Sequence, residues 1–295
     1  MRMYAAIGSR VGVCAGVVGL VAALAVLIIG VPTLRAQQVP GADEVLYDMA
    51  DSQGMLRTNA ETDMFMAVEI WASGSMAEVT PDAIGPLVEV ESLFAEIGYD
   101  FPGMRVDVTR AGEREIRVIS GEFAWNEIGE IGGGLVEGYG SAVPMPEAVA
   151  GRLLTMWTTP AGVVKALAAA ENQATVTMEG GALVVTFPLV NGDPDQAAAH
   201  VVVGDLEGTP VKVTLDAQRR PASVEVTHGG RLITTTYSEY GDLNDADYLA
   251  DIFLPASVVQ TIDGQTVLDL TIDRTNTYNP YVMMPVPSSV SAAGR

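Results

Sequence analysis

The sequence predicts an α+β fold: one large, curved antiparallel β-sheet with a few helices packed in its concave side. Three observations predict it. From Ala174 onward, short segments of alternating hydrophobicity recur at spacings of roughly ten residues, as in a meandering sheet. Turn residues such as Gly180-Gly181, Gly229-Gly230 and Asp263-Gly264 bound them. Helical periodicity is confined to 41–56 and to a block between Pro146 and Ala168, and no internal repeat points to a propeller or solenoid. A sheet of so many strands accumulates twist and curls without closing completely, and helices clustered in sequence then lie in its hollow.

The elements begin with an export segment. Met1 to Arg10 carry two arginines and no acid, and Val11 to Val31 is uncharged and rich in Val, Ala, Leu and Ile. A positive start followed by an apolar run is the pattern the export machinery reads. Ala36 offers a small residue for cleavage, although Leu34 is bulky, and the run exceeds the roughly 18 residues that permit a spanning helix. A cleaved signal peptide and an uncleaved anchor both remain open, and Arg2 and Arg10 place the rest of the chain outside the cytoplasm in either case. Cys14 sits near the start of the run, the wrong end for lipidation, and is the chain's one cysteine, so the body has no disulfide and no thiolate chemistry. The expected layout is residues 1–36 as signal peptide or anchor, 37–41 as linker, 42–290 as a single β-rich domain and 291–295 as a tail.

Residues 41–56 suit a short amphipathic helix, with Val45, Leu46, Met49 and Met55 at helical spacing and Asp43 as its N-cap. Met64 to Trp71 reads as a strand. Thr80 to Phe101, with Pro81, Pro86 and Gly98, takes no assignment. Strands return over Met104–Arg110, Glu115–Ile119 and Phe123–Asn126, the first alternating as a sheet wet on one face. A glycine-rich loop follows over 129–140. Pro146 then opens a helix striped by Val149, Leu153, Leu154 and Trp157, and Thr158-Thr159-Pro160 breaks it into a second helix. The remaining strands are Thr175–Met178, Ala182–Leu189, His200–Asp205, Pro210–Asp216, Ala222–Thr227, Leu232–Glu239, Ile252–Thr261 and Gln265–Arg274, the last two joined by the Asp263-Gly264 hairpin turn.

Composition excludes several functions. With 37 acidic against 16 basic residues, the net charge is −21, which repels phosphate backbones and excludes nucleic acid as a partner. The body's two histidines, His200 and His228, have no metal-ligand spacing. Asp242, Asn244, Asp245, Asp247 and Asp251 fail the calcium-loop pattern, because Ala246 stands at the fifth position; a solvated acidic turn explains them. Gly138-Tyr139-Gly140-Ser141-Ala142 lacks the last glycine of a nucleophile elbow. The run Gly132-Gly133-Gly134 lacks the lysine of a phosphate loop. No catalytic residue, metal or cofactor is predicted. An exported hydrolase using His200 or His228 is the weakest of three readings.

What remains is apolar. Phe65, Trp71, Phe123, Trp125, Trp157 and Phe253 fall on expected strands and on the first helix of the central block. Singly each is core; as a group they are the candidate lining of a ligand cavity in a curled sheet.

Local phrases then point to a family. Met104-Arg105-Val106-Asp107 leads to Gly121-Glu122-Phe123-Ala124-Trp125, and Leu154-Thr155-Met156-Trp157-Thr158-Thr159-Pro160-Ala161-Gly162 follows. Further on come Tyr237-Ser238-Glu239-Tyr240-Gly241-Asp242, Phe253-Leu254-Pro255 and Met284-Pro285-Val286-Pro287. With the order of elements, these phrases resemble the LolA/LolB-type lipoprotein-localisation superfamily over most of residues 42–290. The resemblance implies an unclosed half-barrel with a helical lid, and a non-enzymatic periplasmic carrier for a lipid or a lipoprotein acyl chain. It also implies an arginine that holds the lid, without assigning one. An envelope protein-interaction or sensor module on the same fold is the alternative, and the run 11–31 leaves inner-membrane association open.

Overall fold

The computed structural model describes residues 39–56, 67–80, 82–129, 141–195, 200–245, 252–279 and 282–293. The export segment, the start of the Met64–Trp71 strand with Phe65, the glycine-rich loop, and Asp247 and Asp251 lie outside the described residues. From Val39 onward the chain forms one compact unit.

Thirteen strands make a single antiparallel sheet that does not close, an unclosed half-barrel with a few helices, as expected. At its middle β1 (Ala67–Val79) pairs with both β2 (Ile84–Gly98) and β13 (Gln265–Asn276). One arm continues through β3 (Gly103–Arg110), β4 (Glu113–Ser120) and β5 (Phe123–Ile128) to β6 (Ser141–Pro144). The other runs through β12 (Phe253–Ile262), β11 (Arg231–Asp242), β10 (Pro221–His228), β9 (Pro210–Leu215) and β8 (Ala182–Pro188) to β7 (Thr175–Glu179). Each arm is a meander, so a short turn suffices between most neighbours. Where β1 meets β13, Gly74 adopts φ 139°, and a Cβ there would lie 2.9 Å from the Leu270 Cα. Only glycine lets the two backbones come so close.

Strand alternation sorts the side chains onto two faces. Val68, Ile97, Met104 and Ile119 stand in register across β1 to β4 and face inward. They join the main core with α1 (Ala42–Ser52), α2 (Val149–Trp157) and α3 (Pro160–Ala170). Their neighbours Ala67, Ile116, Val118 and Trp125 face outward, where Val282, Met284 and Val290 of α4 (Ser288–Ala293) cover them. This arm is therefore buried on both faces, which is why Val118 and Ile119 are consecutive and both inaccessible.

The structure departs from the sequence reading at five places. The unassigned stretch Thr80–Phe101 is mostly the long strand β2. Gly85 and Pro86 together stand opposite Glu78 at a bulge in the β1–β2 register, and β3 pairs with β2 only from Val90 onward. Proline there costs no ladder hydrogen bond, which is how a strand accommodates it. His200–Asp205 is no strand, but an extended segment followed by a 3-10 turn at Gly204–Leu206. Its Val201 and Val203 alternate and are buried, yet they pack as a loop whose ends are tied by Gly192 N–H to the Val201 carbonyl at 2.8 Å. Asp43 is not the cap of α1. Gly41 holds that position without a side-chain bond, and Asp43 lies in the first turn, where its charge favours the helix dipole. The short edge strand β6 was unforeseen, and α4 carries regular structure into 291–293, expected to be tail. Among the described residues no single helix is long and apolar enough to cross a membrane.

Candidate functional site

The site is built around α2, which lies across the inner face and is fastened to both arms. Pro146 starts a 3-10 turn that feeds it, and Leu153, Leu154, Met156 and Trp157 point into the core. On the β3–β6 arm, Arg152 donates to the Val118 carbonyl at 2.8 Å, the Trp125 carbonyl at 2.6 Å and Asn126 Oδ1 at 2.5 Å. Guanidinium supplies several donors in one fixed plane, so it can bind β4 and β5 together. Burial first, and then the Arg117 charge, push the Arg152 guanidinium down to about 10, still protonated at neutral pH.

On the opposite arm, Trp157 Nε1 donates to the Val202 carbonyl at 2.6 Å, and the Tyr237 hydroxyl donates to the Thr158 carbonyl at 2.6 Å. The chain then turns through 96° into α3. Thr159 caps α3, its Oγ1 accepting from Gly162 N–H at 3.1 Å, and shares a 2.8 Å hydrogen bond with the Tyr99 hydroxyl. Below α3, Lys165 is buried beside Asp100 at 3.4 Å and over the Tyr99 ring. The Asp100 carbonyl also meets His200 Nδ1 at 2.8 Å. This His200 contact ties the 200–203 segment to the β2–β3 turn and is structural.

The outward edge of α2, Gly151 and Thr155, overhangs a cleft floored by Val224 and Val226 of β10 and Ile233 of β11. Leu154, Thr158, His228, Thr235 and Gln260 complete its lining, and Gln260 Nε2 donates to Thr235 Oγ1 at 3.0 Å. The cleft encloses about 60 Å³. A water's share of liquid volume is roughly 30 Å³, and drug-sized ligand sites run to about 300–1,000 Å³. At that volume the cleft falls below the range of drug-sized ligand sites. Further along the inner face, Ala72, Leu93, Val108 and Leu270 continue the apolar floor. Leu243 packs on this stretch, while Asn244 Oδ1 accepts from Thr277 N–H at 3.0 Å and fixes the loop after β11.

Of the six aromatics singled out in the sequence, the five described residues do not converge on one site. Trp71 faces outward, against Phe94 at 4.9 Å between ring centres and beneath Arg274 at 3.8 Å. Phe123 and Trp125 belong to the outer cluster under α4. Trp157 alone enters the inner core, with no exposed surface. Phe253 lies beside the end of α1, its ring under the Arg220 guanidinium at 4.6 Å and its N–H bonded to the Gln53 carbonyl at 3.0 Å. Phe65 is outside the described residues. Alternation assigns a residue to a face but not to inside or outside when both faces are covered.

Of the polar residues that shape the cleft, Thr155, Thr235 and Gln260 carry no sequence signal, and His228 enters the sequence reading only as a metal or hydrolase candidate. Arg152 had a signal: it is the lone charge between Glu147 and Lys165 in an apolar helical block. Among the described residues no group of three or more His, Cys, Asp or Glu side chains is placed to hold a metal ion.

No family model matches the chain, and no curated protein matches it in sequence. Among solved structures it is similar to the lipoprotein LppX of Mycobacterium tuberculosis, at 10% sequence identity and a TM-score of 0.25, over 64% of this chain and 90% of that one. A likeness of that size carries no weight for function.

Proposed function

We propose that the protein is an exported, non-catalytic carrier for a lipid, a lipoprotein acyl chain or another hydrophobic ligand, held on the inner face of its half-barrel. The observation that supports this reading is the build of α2. The helix roofs a cleft with an apolar floor: Arg152 near its middle bonds to β4 and β5, and the Thr158 carbonyl at its C-terminal end receives Tyr237 of β11. The apolar stretch around Leu93 and Leu270 lies further along the same face, and a ligand that reached from it into the cleft would have to displace α2, whose Leu153, Leu154, Met156 and Trp157 are buried in the core. The residue types around the cleft fit binding better than bond-breaking, since His228 shares it with threonines and a glutamine and no carboxylate. The arginine-led apolar start of the chain supports export to the periplasm, with or without an anchor.

The test is native mass spectrometry and solvent extraction of protein purified without detergent. A stoichiometric acyl-bearing ligand is expected. Folded protein that carries no such ligand and takes up no acyl probe would overturn the reading. The small volume of the cleft favours a second one, an envelope protein-interaction or sensor module. Capture of a stoichiometric protein partner by lipid-free protein would favour it over the carrier.

A further inference from the structure

The inner face carries a concentration of positive charge that the overall acidity of the chain does not foreshadow. Across β3 and β4, Val106 pairs with Arg117, Val108 with Glu115, and Arg110 with Glu113. By alternation Arg110, Glu113, Glu115 and Arg117 share the side of Val106 and Val108, at the end of the apolar floor. Arg117 stands opposite Asn126, the same side chain that receives Arg152 from α2. Three guanidiniums therefore meet at the rim of the groove. One carboxylate pairs with them directly: Glu115 lies 2.6 Å from Arg117 and 3.9 Å from Arg110. The Glu115 carboxyl is held below the usual carboxylate range, chiefly by its hydrogen bond from Arg117. The Arg152 donors go to two carbonyls and Asn126, while the charges of Glu115 and Glu147 act on it without a hydrogen bond among the described residues. Arg117 and Arg110 are 32% and 18% exposed, open to the groove side and not sealed in the core.

We infer that Arg110 and Arg117, backed by the Arg152 charge, form a binding site for the anionic head, carboxylate or phosphate, of an amphiphile whose apolar part lies along Val106 and Val108. This rests on the carrier reading and adds the class of head group. Planar guanidiniums beside a low-dielectric wall bind carboxylate and phosphate oxygens through charge-assisted, often paired, hydrogen bonds. Guanidiniums gathered on the ligand face of an otherwise strongly negative protein favour an anionic head over a neutral one of equal chain length.

The experiment measures binding to the full-length protein as isolated from cells and stripped of lipid, by titration calorimetry, with four probes: dodecanoate, dodecyl phosphate, methyl dodecanoate and inorganic phosphate. Dodecanoate and dodecyl phosphate are expected to bind about tenfold more tightly than the uncharged ester. Arg117→Gln should abolish that difference while leaving ester affinity unchanged, and Arg117→Lys should keep part of it. Arg110→Gln serves as a second variant should Arg117→Gln fail to fold. Equal affinity for the acid and the ester overturns the head-group site and leaves the carrier standing. Binding of none of the three amphiphiles overturns both. Inorganic phosphate binding as tightly as dodecyl phosphate assigns the arginines to a free anion and overturns the lipid head group.

Discussion

The Tyr237 hydroxyl, deep in the core, donates a 2.6 Å hydrogen bond to the Thr158 carbonyl at the corner between α2 and α3. That carbonyl is one of the unsatisfied groups every helix leaves at its C-terminal end. Burial drives the Tyr237 phenol far above its ordinary value, so it remains a donor at every pH the fold survives. Tyr237→Phe keeps the ring and strands the carbonyl. The expected loss is about 1–3 kcal/mol, read as a lower urea midpoint with unchanged slope. A midpoint equal to the parent would show that the corner does not depend on this bond.

Gly162 sits in the first turn of α3, pressed against the same corner. A Cβ there would lie 3.0 Å from the Trp157 Cα and 2.7 Å from Thr159 Oγ1, and would collide with the Met156 carbonyl. Glycine is required here for close approach and not for an unusual φ. Gly162→Ala should force α3 away from the end of α2, at about 1–3 kcal/mol for an overpacked site, and should redshift Trp157 emission as water reaches the indole. Gly151→Ala is the control, because nothing stands within 4 Å of a Cβ at that position.

These two residues show where the sequence was legible. The break at Thr158-Thr159-Pro160 was visible because proline and threonine each have a local reason to be there, one fixing the first helical φ and the other capping. The strands from Pro210 onward were equally plain, since alternation and turn residues act over a few positions. β2 was not, because its Pro86 is permitted by a bulge and by a partner strand that starts later, both properties of its neighbours. The site was the least legible part. Bulky aromatics suggested a lining, yet the arm that carries β5 is covered on both sides, so Trp125 packs in the outer cluster with Val290 of α4, while Trp157 of α2 is buried in the main core. The cleft instead depends on Arg152 reaching two strands far away in sequence, a relation that no local pattern encodes.

On the outer face, Asp107 receives Arg114 at 2.6 Å and Arg105 at 3.5 Å. The hydrogen bond from Arg114 is the main cause that holds the Asp107 carboxyl below its ordinary value, against the opposing effect of burial. A folded-state value below the unfolded one of about 3.9 means that its stabilisation is present above that pH. It is lost as pH falls through the lower, folded value. Arg114 is 46% exposed, so screening limits the pair to about 1 kcal/mol at most. Asp107→Asn should cost that much at pH 7 and nothing once the Asp107 carboxyl of the parent is protonated in the folded as well as the unfolded state, shown by thermal melts across acid pH. Glu96 has the opposite sign: burial raises it, so its ionisation weakens the fold as pH rises through the folded value. A constant penalty for Asp107→Asn at all pH values would assign its effect to packing.

Arg152 makes the strongest prediction, because its three acceptors lie on two different strands and its loss removes the polar tie between α2 and the β4–β5 arm. Arg152→Met preserves much of the aliphatic packing and removes every donor. Charge-assisted bonds of this kind contribute roughly 1.5–3 kcal/mol each in isolation, and the loss should be less than their sum, since burying the guanidinium had its own cost. The distinctive expectation is local. Amide hydrogen exchange should accelerate across 149–157 while β8 and β9 stay protected, and uptake of an acyl probe should become faster. Arg152→Lys, which keeps the charge but not the planar fork, should fall between the two. Global destabilisation with no preferential opening of α2 would mean that the helix is an integral part of the core and not a movable roof, and the route for a ligand would then have to lie elsewhere on the half-barrel.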